Sequence, residues 1–276
     1  MVDLRFGSAM GAHPLTRARW WSMGVGTGAK LLLVLFLGCS ISAACLSRAA
    51  KWDGAGMARV QPVQTVPDQF KKWTFDREEP GESPIGLSTG ALGTRPTGSW
   101  KIKAHPQAPS APNILVQATP CPDPNCYQIL LAEGLTYEYL DLTVLLRPTA
   151  EGGQASGGIV FGLKDSENFY AVLVDLTAGT LEVIRVLDGK DTVLGRASVR
   201  RKQAPWHSLR VQRNTIISKE FIQTSFDGRL AVSVEDNALG AGQIGLMTRG
   251  GSLMGFDNFH VIQLYSQRPF SPPAAY

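Results

Sequence analysis

From Gln69 onward, apolar and polar residues alternate along much of the chain. The period is two in Tyr139–Arg147, Thr180–Asp188, His207–Arg213 and Arg229–Asp236. Because successive side chains of a β-strand point to opposite faces, each segment predicts a strand with one buried face. No comparable stretch has the period of an amphipathic helix, so the pattern predicts an all-β domain.

Turn residues separate these segments at short, regular intervals. Asp-Gly pairs lie at Asp188–Gly189 and Asp227–Gly228, where the glycine tolerates the positive φ of a tight hairpin turn. A third hairpin is predicted in Gly157–Leu176, in which two apolar runs flank the polar patch Lys164–Asn168. Many short strands joined by such turns are typical of a two-sheet antiparallel β-sandwich or jelly roll.

The first part of the chain has the order of an export signal. Arg17, Arg19 and Lys30 precede the apolar run Leu31–Gly38, and small residues follow it. Met23 would open a signal of more usual length. Three outcomes stay open: cleavage after small residues at Ala44 or Ala49, lipidation of Cys45, and an uncleaved anchor. The anchor would be shorter than the roughly 20 residues that span a bilayer.

The predicted organisation has four parts, and it places the protein in the periplasm or outside the cell, with lipid anchoring as an alternative. These parts are a leader at 1–45, a linker at 46–67, one jelly-roll domain at 68–264 and a Pro-rich tail at 265–276.

Net charge changes once the leader is set aside. The whole chain has 27 basic and 23 acidic residues, but residues 1–44 contain four of the basic and one of the acidic, which leaves 23 against 22. A nearly neutral domain lacks the clustered lysines and arginines of a nucleic-acid footprint. The basic run Val199–Gln203 is interpreted as a solvated loop before a strand. A membrane contact is expected only through the leader or a lipid anchor.

Two of the four cysteines belong to the predicted domain. Cys121 and Cys126 lie five residues apart in a Pro-rich turn, and in an exported protein such a pair most naturally closes a small disulfide loop. A metal site would need further ligands, and the chain has no second cysteine pair or paired histidine nearby. A reduced pair is the remaining alternative.

The second half of the domain resembles a known superfamily. The segments "GGIVFGLKDSENFYAVLVDLTAGTLEVIRVLDGK", "WHSLRVQ", "SFDGRLAVSVED" and "GAGQIGLMTRGGSLMGFDNFHV" occur in this order. Together they look like the concanavalin A-type jelly roll of the laminin-G-like superfamily, and most like its bacterial exported branch of 3-keto-disaccharide hydrolases, or family-16-like glycosidases. "MTRGGS" at Met247–Ser252 departs from the branch, whose loop has an aromatic and an acidic residue there.

The resemblance implies an antiparallel sandwich and a link to carbohydrate, but it does not settle activity. It also implies that a structural calcium ion could bind near the ends of the domain, with Asp76 and Asp257 as ligands, since hard oxygen ligands suit Ca²⁺. No other cofactor is expected.

Catalytic residues stay unassigned. Glycoside hydrolysis usually needs two carboxylates at a set separation, and a strand supplies them most simply at i and i+2 or i and i+4. Glu138 and Asp141 have an odd spacing, and Asp165 and Glu167 lie in a loop where strand alternation fails. The sequence lacks the E-x-D-x-x-E strand of laminarinase-type jelly rolls.

The sequence offers more candidate residues for ligand binding than for catalysis. Sugar sites combine an aromatic platform with side chains that form hydrogen bonds to hydroxyl groups. Asp165, Asn168 and Tyr170 form such a set, which Arg185 and Trp206 could extend. His207 is interpreted as a strand-start residue in phase with its apolar neighbours, because alternate residues share a face.

We therefore expect an exported, envelope-associated jelly roll that binds a glycan or a similar extracellular ligand without catalysis. The first alternative is a glycoside-cleaving enzyme of the 3-keto-disaccharide type, and the second is a module that binds another protein.

Overall fold

The structure is a computed structural model that describes residues 70–89, 98–150 and 153–265. All of them belong to one unit, Pro62–Tyr276. The leader, Cys45, the linker and the tail beyond Tyr265 lie outside the described residues. Within these three ranges, no helix is long and apolar enough to cross a bilayer.

The described chain is built from strands joined by turns and loops. The strands are β1 (Phe70–Trp73), β2 (Leu87–Ser88), β3 (Trp100–Ala104), β4 (Asn113–Gln117), β5 (Tyr127–Tyr137), β6 (Tyr139–Pro148), β7 (Ser156–Asp165), β8 (Asn168–Asp175), β9 (Thr180–Leu187), β10 (Lys190–Ser198), β11 (His207–Ile216), β12 (Lys219–Phe226), β13 (Arg229–Glu235), β14 (Gly242–Arg249) and β15 (Met254–Leu264).

The strands form two antiparallel sheets. One has eight strands in the order β13-β12-β11-β6-β15-β4-β3, with β1 also paired to β15. The other has seven strands in the order β10-β9-β8-β7-β14-β5-β2. Sequence neighbours often lie in different sheets, since β6 is followed by β7 and β10 by β11. This is the predicted all-β, two-sheet jelly-roll sandwich, and the expectation of fold class is confirmed.

The core lies between the sheets and is filled by alternate side chains. Val144 and Leu146 of the eight-stranded sheet belong to the same buried cluster as Val172 and Val174 of the seven-stranded sheet. His207, Leu209 and Val211 are all buried on one face of β11, as the period of two predicts.

The central strands of the seven-stranded sheet are apolar on both faces. Tyr170 and Val172 of β8 point into the core, whereas Phe169, Ala171 and Leu173 belong to a second buried cluster. A continuous apolar run is typical of a strand that is buried on both sides. Both aromatic residues of this run are therefore buried.

The antiparallel order gives the sandwich two distinct ends. The loop end contains the connections 118–126, 149–150 with 153–155, 176–179, 199–206, 227–228 and 250–253. The hairpin end contains the tight turns 166–167, 188–189 and 217–218 and the connection 236–241. β7, with ten residues, spans from one end to the other, a distance of about 30 Å.

Candidate functional site

Asp165 and Asn168 lie in the β7–β8 turn at the hairpin end. The Asp165 carboxylate accepts hydrogen bonds from the backbone N of Glu167 at 2.8 Å and from Asn168 Nδ2 at 3.0 Å. These bonds, that of Glu167 first, lower the pKa of Asp165. Asn168 Oδ1 in turn accepts the backbone N–H of Asp188 at 3.1 Å. The polar patch therefore joins two neighbouring hairpins.

Tyr170 is fully buried between the sheets. Its hydroxyl donates to Asp236 and accepts the backbone N–H of Leu239 at 3.1 Å. Burial first, and then the hydrogen bond to Asp236, raise the pKa of Tyr170. Arg185 binds the same carboxylate, with 2.5 Å between Nη1 and Oδ2. Tyr170 therefore offers no surface to a ligand and ties β8 to the connection 236–241.

Arg213 extends this network into the other sheet. Its side chain is 1% exposed and its guanidinium lies 5.4 Å from the centre of the Tyr170 ring. Nη2 donates to Glu220 at 2.7 Å, and Nη1 donates to the carbonyl of Gly240 at 3.1 Å. A buried charge needs hydrogen-bond and ion-pair partners. The contacts of Arg213 with Tyr170, Glu220 and Gly240 therefore hold the two sheets together at the hairpin end.

Trp206 lies at the other end of the molecule. It precedes β11, whose first residue, His207, pairs with Leu146 near the end of β6. The five predicted ligand-binding residues therefore do not form one site: four lie towards the hairpin end and Trp206 at the loop end.

The loop end contains a cavity of about 580 Å³. We call it the end cavity. It is lined by Arg147, Pro148, Thr149, Ala150, Gly153, Ala155, Thr177, Arg201, Ala204, Pro205 and His207. Its volume falls in the range of ligand sites, roughly 300–1,000 Å³.

Hydrogen bonds between neighbouring connections shape the end cavity. Thr177 Oγ1 donates to the carbonyl of Gly153 at 3.1 Å, and the backbone N of Leu176 donates to that of Ala155 at 2.8 Å. The backbone N of Val199 donates to the carbonyl of Gly179 at 2.8 Å. The wall is therefore preformed.

His207 and Asp227 form a buried pair beside the cavity. His207 Nδ1 lies 2.9 Å from Asp227 Oδ2, and the ring stacks on Phe226 at 5.4 Å between centroids. Asp227 also accepts the backbone N–H groups of Ser208 at 3.1 Å and Lys202 at 3.4 Å. The carboxylate thus holds the loop that carries Arg201.

Arg147 lines the cavity and contacts Trp206. The Arg147 guanidinium lies 5.6 Å from the centre of the Trp206 ring, and Nη1 lies 3.1 Å from His105 Nε2. Trp206 Nε1 donates to the carbonyl of Gln107 at 2.7 Å. Such cation–π contacts and hydrogen bonds fix both side chains.

Sequence reasoning missed most of this site. Arg147, Thr177 and Arg201 are far apart in sequence and share no motif. The signal that could have found them is their position: each lies at or beyond the end of a predicted strand, and counting antiparallel strands assigns all three to the same end. The basic run at Val199–Gln203 is the predicted loop, but one of its arginines also lines a cavity.

A second, smaller cavity of about 260 Å³ lies nearby and contains Asp175, Glu182 and Arg249 among its lining residues. The Asp175 carboxylate caps a turn by accepting the backbone N–H of Thr177 at 2.8 Å. Glu182 forms ion pairs with Arg196 and, at 3.6 Å, with Arg249. Both carboxylates are therefore already engaged.

The predicted disulfide between Cys121 and Cys126 is formed, with 6.3 Å between the Cα atoms. The backbone N of Cys121 donates to the carbonyl of Gly250 at 3.2 Å, and the backbone N of Gly250 donates to the carbonyl of Cys126 at 2.8 Å. The bridge therefore anchors the β4–β5 connection to the β14–β15 connection at the loop end.

The predicted calcium ligands have other partners. Asp257 accepts hydrogen bonds from the backbone N and the hydroxyl of Ser110, at 2.8 and 2.7 Å, and from the backbone N of Asn258. Asp76 accepts the backbone N–H of Asn113 at 3.2 Å. No group of three or more acidic, histidine or cysteine side chains suited to a metal occurs among the described residues. Ca²⁺ takes six to eight oxygens, which include amide and backbone carbonyl oxygens as well as carboxylates. The calcium site stays a prediction.

No protein-family model matches the chain, and no curated protein matches it. Among solved structures, the chain is similar to the carbohydrate-binding module CBM66 from Bacillus subtilis, with 14% identity over 64% of this chain and 96% of that one and a TM-score of 0.49. It is also similar to a legume lectin-like domain from Entamoeba histolytica, with 12% identity over 60% and 90% of the two chains and a TM-score of 0.43.

A third similar structure is the GH43 BlXynB protein from Bacillus licheniformis, with 16% identity and a TM-score of 0.41. The alignment covers 65% of this chain but 39% of that protein. Since none of these three TM-scores reaches 0.5, the architecture rests on the strand pairing described above. The resemblance to the 3-keto-disaccharide hydrolase branch stays a prediction.

Proposed function

We propose that this protein is an exported carbohydrate-binding domain whose ligand enters the end cavity. One observation carries the proposal: a preformed cavity of about 580 Å³ with guanidinium and hydroxyl groups in its wall. Arg147 and Arg201 offer donors, and Thr149 and Thr177 offer hydroxyl groups, for the hydrogen bonds that a sugar ring requires. Trp206 places an aromatic ring beside the rim.

Non-catalytic binding is part of the same proposal. The described lining of the end cavity includes no carboxylate, whereas glycoside hydrolysis usually needs two; Glu151, in the adjoining connection, lies outside the described residues. Export is supported by the Cys121–Cys126 bridge, because disulfides persist in oxidising compartments.

A glycan array with the purified protein tests this proposal, followed by calorimetric titration of each hit. We expect Arg147→Ala and Thr149→Val to weaken binding by at least tenfold, which corresponds to about 1.4 kcal/mol. Asp165→Ala is the control, because it lies at the hairpin end. Retained binding in both cavity variants, or loss in Asp165→Ala, would move the site away from the end cavity.

The glycoside-cleaving alternative has one observation in its favour, since Asp175 and Glu182 line the same small cavity. A reducing-sugar assay on every array hit separates the two functions. Product release that Glu182→Gln abolishes would establish an enzyme, and binding without product would support the proposed binding module.

A further inference from the structure

The arginines of the sandwich fall into two groups. Five have carboxylate partners in ion pairs: Arg185, Arg196, Arg210, Arg213 and Arg249. The other described arginines form no ion pair with a described carboxylate: Arg77, Arg147, Arg200, Arg201 and Arg229. Of these, Arg147 and Arg201 line the end cavity. No described carboxylate neutralises the charges of these two arginines.

Arg147 is held in place without being neutralised. Nε donates to the carbonyl of Pro148 at 3.2 Å, Nη1 lies 3.1 Å from His105 Nε2, and the guanidinium plane lies beside Trp206. Nη2 has no hydrogen-bond partner among the described residues. A guanidinium that is already oriented loses less conformational entropy when it binds.

Lys103 adds a second positive charge near Arg147. Both charges, after burial as the first cause, lower the pKa of His105. The carboxylate of Asp227 is buried against His207 and two backbone N–H groups. The carboxylate of Asp175 accepts the backbone N–H groups of Thr177 and Ala178. Neither acid forms an ion pair with Arg147 or Arg201.

We propose that the end cavity selects an anionic sugar, a glycan residue bearing a carboxylate or sulfate group that Arg147 and Arg201 bind. This inference rests on the proposed carbohydrate-binding function and names its ligand class. Guanidinium groups form charge-assisted, often bidentate hydrogen bonds with such oxyanions. The hydroxyl of Thr149 and the acceptor lone pairs of the Thr177 oxygen are left for the hydroxyl groups of the same sugar.

Matched pairs of sugars test the charge preference. Calorimetry compares galacturonic acid oligosaccharides with their neutral methyl esters, and chondroitin sulfate oligosaccharides with unsulfated chondroitin. We expect at least tenfold tighter binding of the acid within the first pair, the sulfate within the second, or both, and the pair that responds identifies the oxyanion. Binding should weaken as salt rises from about 0.05 to 0.5 M, because screening shortens the reach of exposed charges.

Arg201→Gln is the decisive variant, because Arg201 is an exposed loop residue whose replacement leaves the core intact. We expect it to reduce the preference for the charged sugar at least fivefold while the thermal midpoint stays unchanged. Lys190→Gln is the matched control: it removes one exposed positive charge at the hairpin end and should leave affinity unchanged.

The outcomes separate the two proposals. Equal binding of charged and neutral sugars that Arg147→Ala weakens would overturn the anionic preference and leave the carbohydrate site standing. A preference for charged sugars that Arg201→Gln leaves intact would also overturn the inference. Failure of every sugar on the array and in both pairs would overturn the carbohydrate-binding function, and the anionic preference with it.

Discussion

Asp257 shows how one residue departs from its sequence-based expectation. The carboxylate has no exposed surface and accepts three hydrogen bonds, two of them from Ser110. Burial, the largest effect, raises the pKa of Asp257, while the Ser110 and Asn258 donors lower it. Sequence alternation could place Asp257 near the end of the domain, but it could not show that a loop 147 residues away would supply the donors.

Ser110→Ala removes the hydroxyl donor and keeps the backbone one. The folded-state pKa of Asp257 lies above its ordinary 3.8, so ionisation of Asp257 costs stability as pH rises through this interval. Loss of the hydroxyl removes stabilisation of the ionised form, and we expect the free energy of unfolding at pH 7 to fall by about 1.5–3 kcal/mol.

Denaturant unfolding of Ser110→Ala at pH 7 and at a pH well below 3.8 measures the difference. The loss should be smaller at the lower pH, where Asp257 is protonated in both states. Ser233→Ala, at an exposed position, is the control. An equal loss at both pH values would contradict the role assigned to the ionised carboxylate.

A variant of Tyr170 distinguishes a structural role of this residue from the ligand-binding role that the sequence predicted for it. Tyr170→Phe leaves Asp236 and the backbone N of Leu239 without the phenol hydroxyl. We expect the free energy of unfolding to fall by about 1–3 kcal/mol and sugar affinity to stay unchanged. Chemical denaturation and titration with an array hit measure both. Weaker binding at unchanged stability would favour the sequence-based expectation.

At the scale of elements, the hydrophobic pattern correctly predicted which face of a strand is buried. In β11 the period of two placed His207, Leu209 and Val211 on the buried face, as observed, because a strand with one buried face fixes its register. The pattern does not determine which loops meet at one end. Arg147, Thr177 and Arg201 come together only through the order of strands in two sheets, and that order depends on long-range pairing.

Two glycines show how tightly the central strands approach each other. A Cβ at Gly158 would lie 1.9 Å from the carbonyl oxygen of Val172, and one at Gly245 would lie 2.1 Å from that of Leu130. Real contacts of this kind do not occur, so a methyl group forces the β7–β8 or β5–β14 ladder apart. The absence of a side chain is thus a packing requirement in the seven-stranded sheet.

Gly158→Ala tests this requirement. Overpacking of a closely packed interior costs about 1–3 kcal/mol. Because the obstacle is a backbone carbonyl, we expect the free energy of unfolding to fall by about 3 kcal/mol. Gly240→Ala is the matched control, since nothing lies within 4 Å of its Cβ position. Thermal and denaturant unfolding compare the variants. A Gly158→Ala protein as stable as Gly240→Ala would contradict the close approach of β7 and β8.

At the scale of the whole molecule, the described domain begins and ends far from its cavity. Phe70 of β1 pairs with Ile262, near the end of β15, so both strands reach the hairpin end. The end cavity lies at the loop end, about 30 Å away along a ten-residue strand such as β7.

This separation predicts different effects for the same fluorescent domain at two positions. Inserted between Ile217 and Ser218 at the hairpin end, it should leave sugar affinity within about twofold, because that turn lies at the end opposite the cavity. Inserted between Lys202 and Gln203, it should abolish binding, because that loop carries Arg201 and is held by Asp227. Calorimetry with one array hit measures both proteins, and circular dichroism confirms that each sandwich is folded. Equal loss in both insertions would contradict a ligand site confined to the loop end.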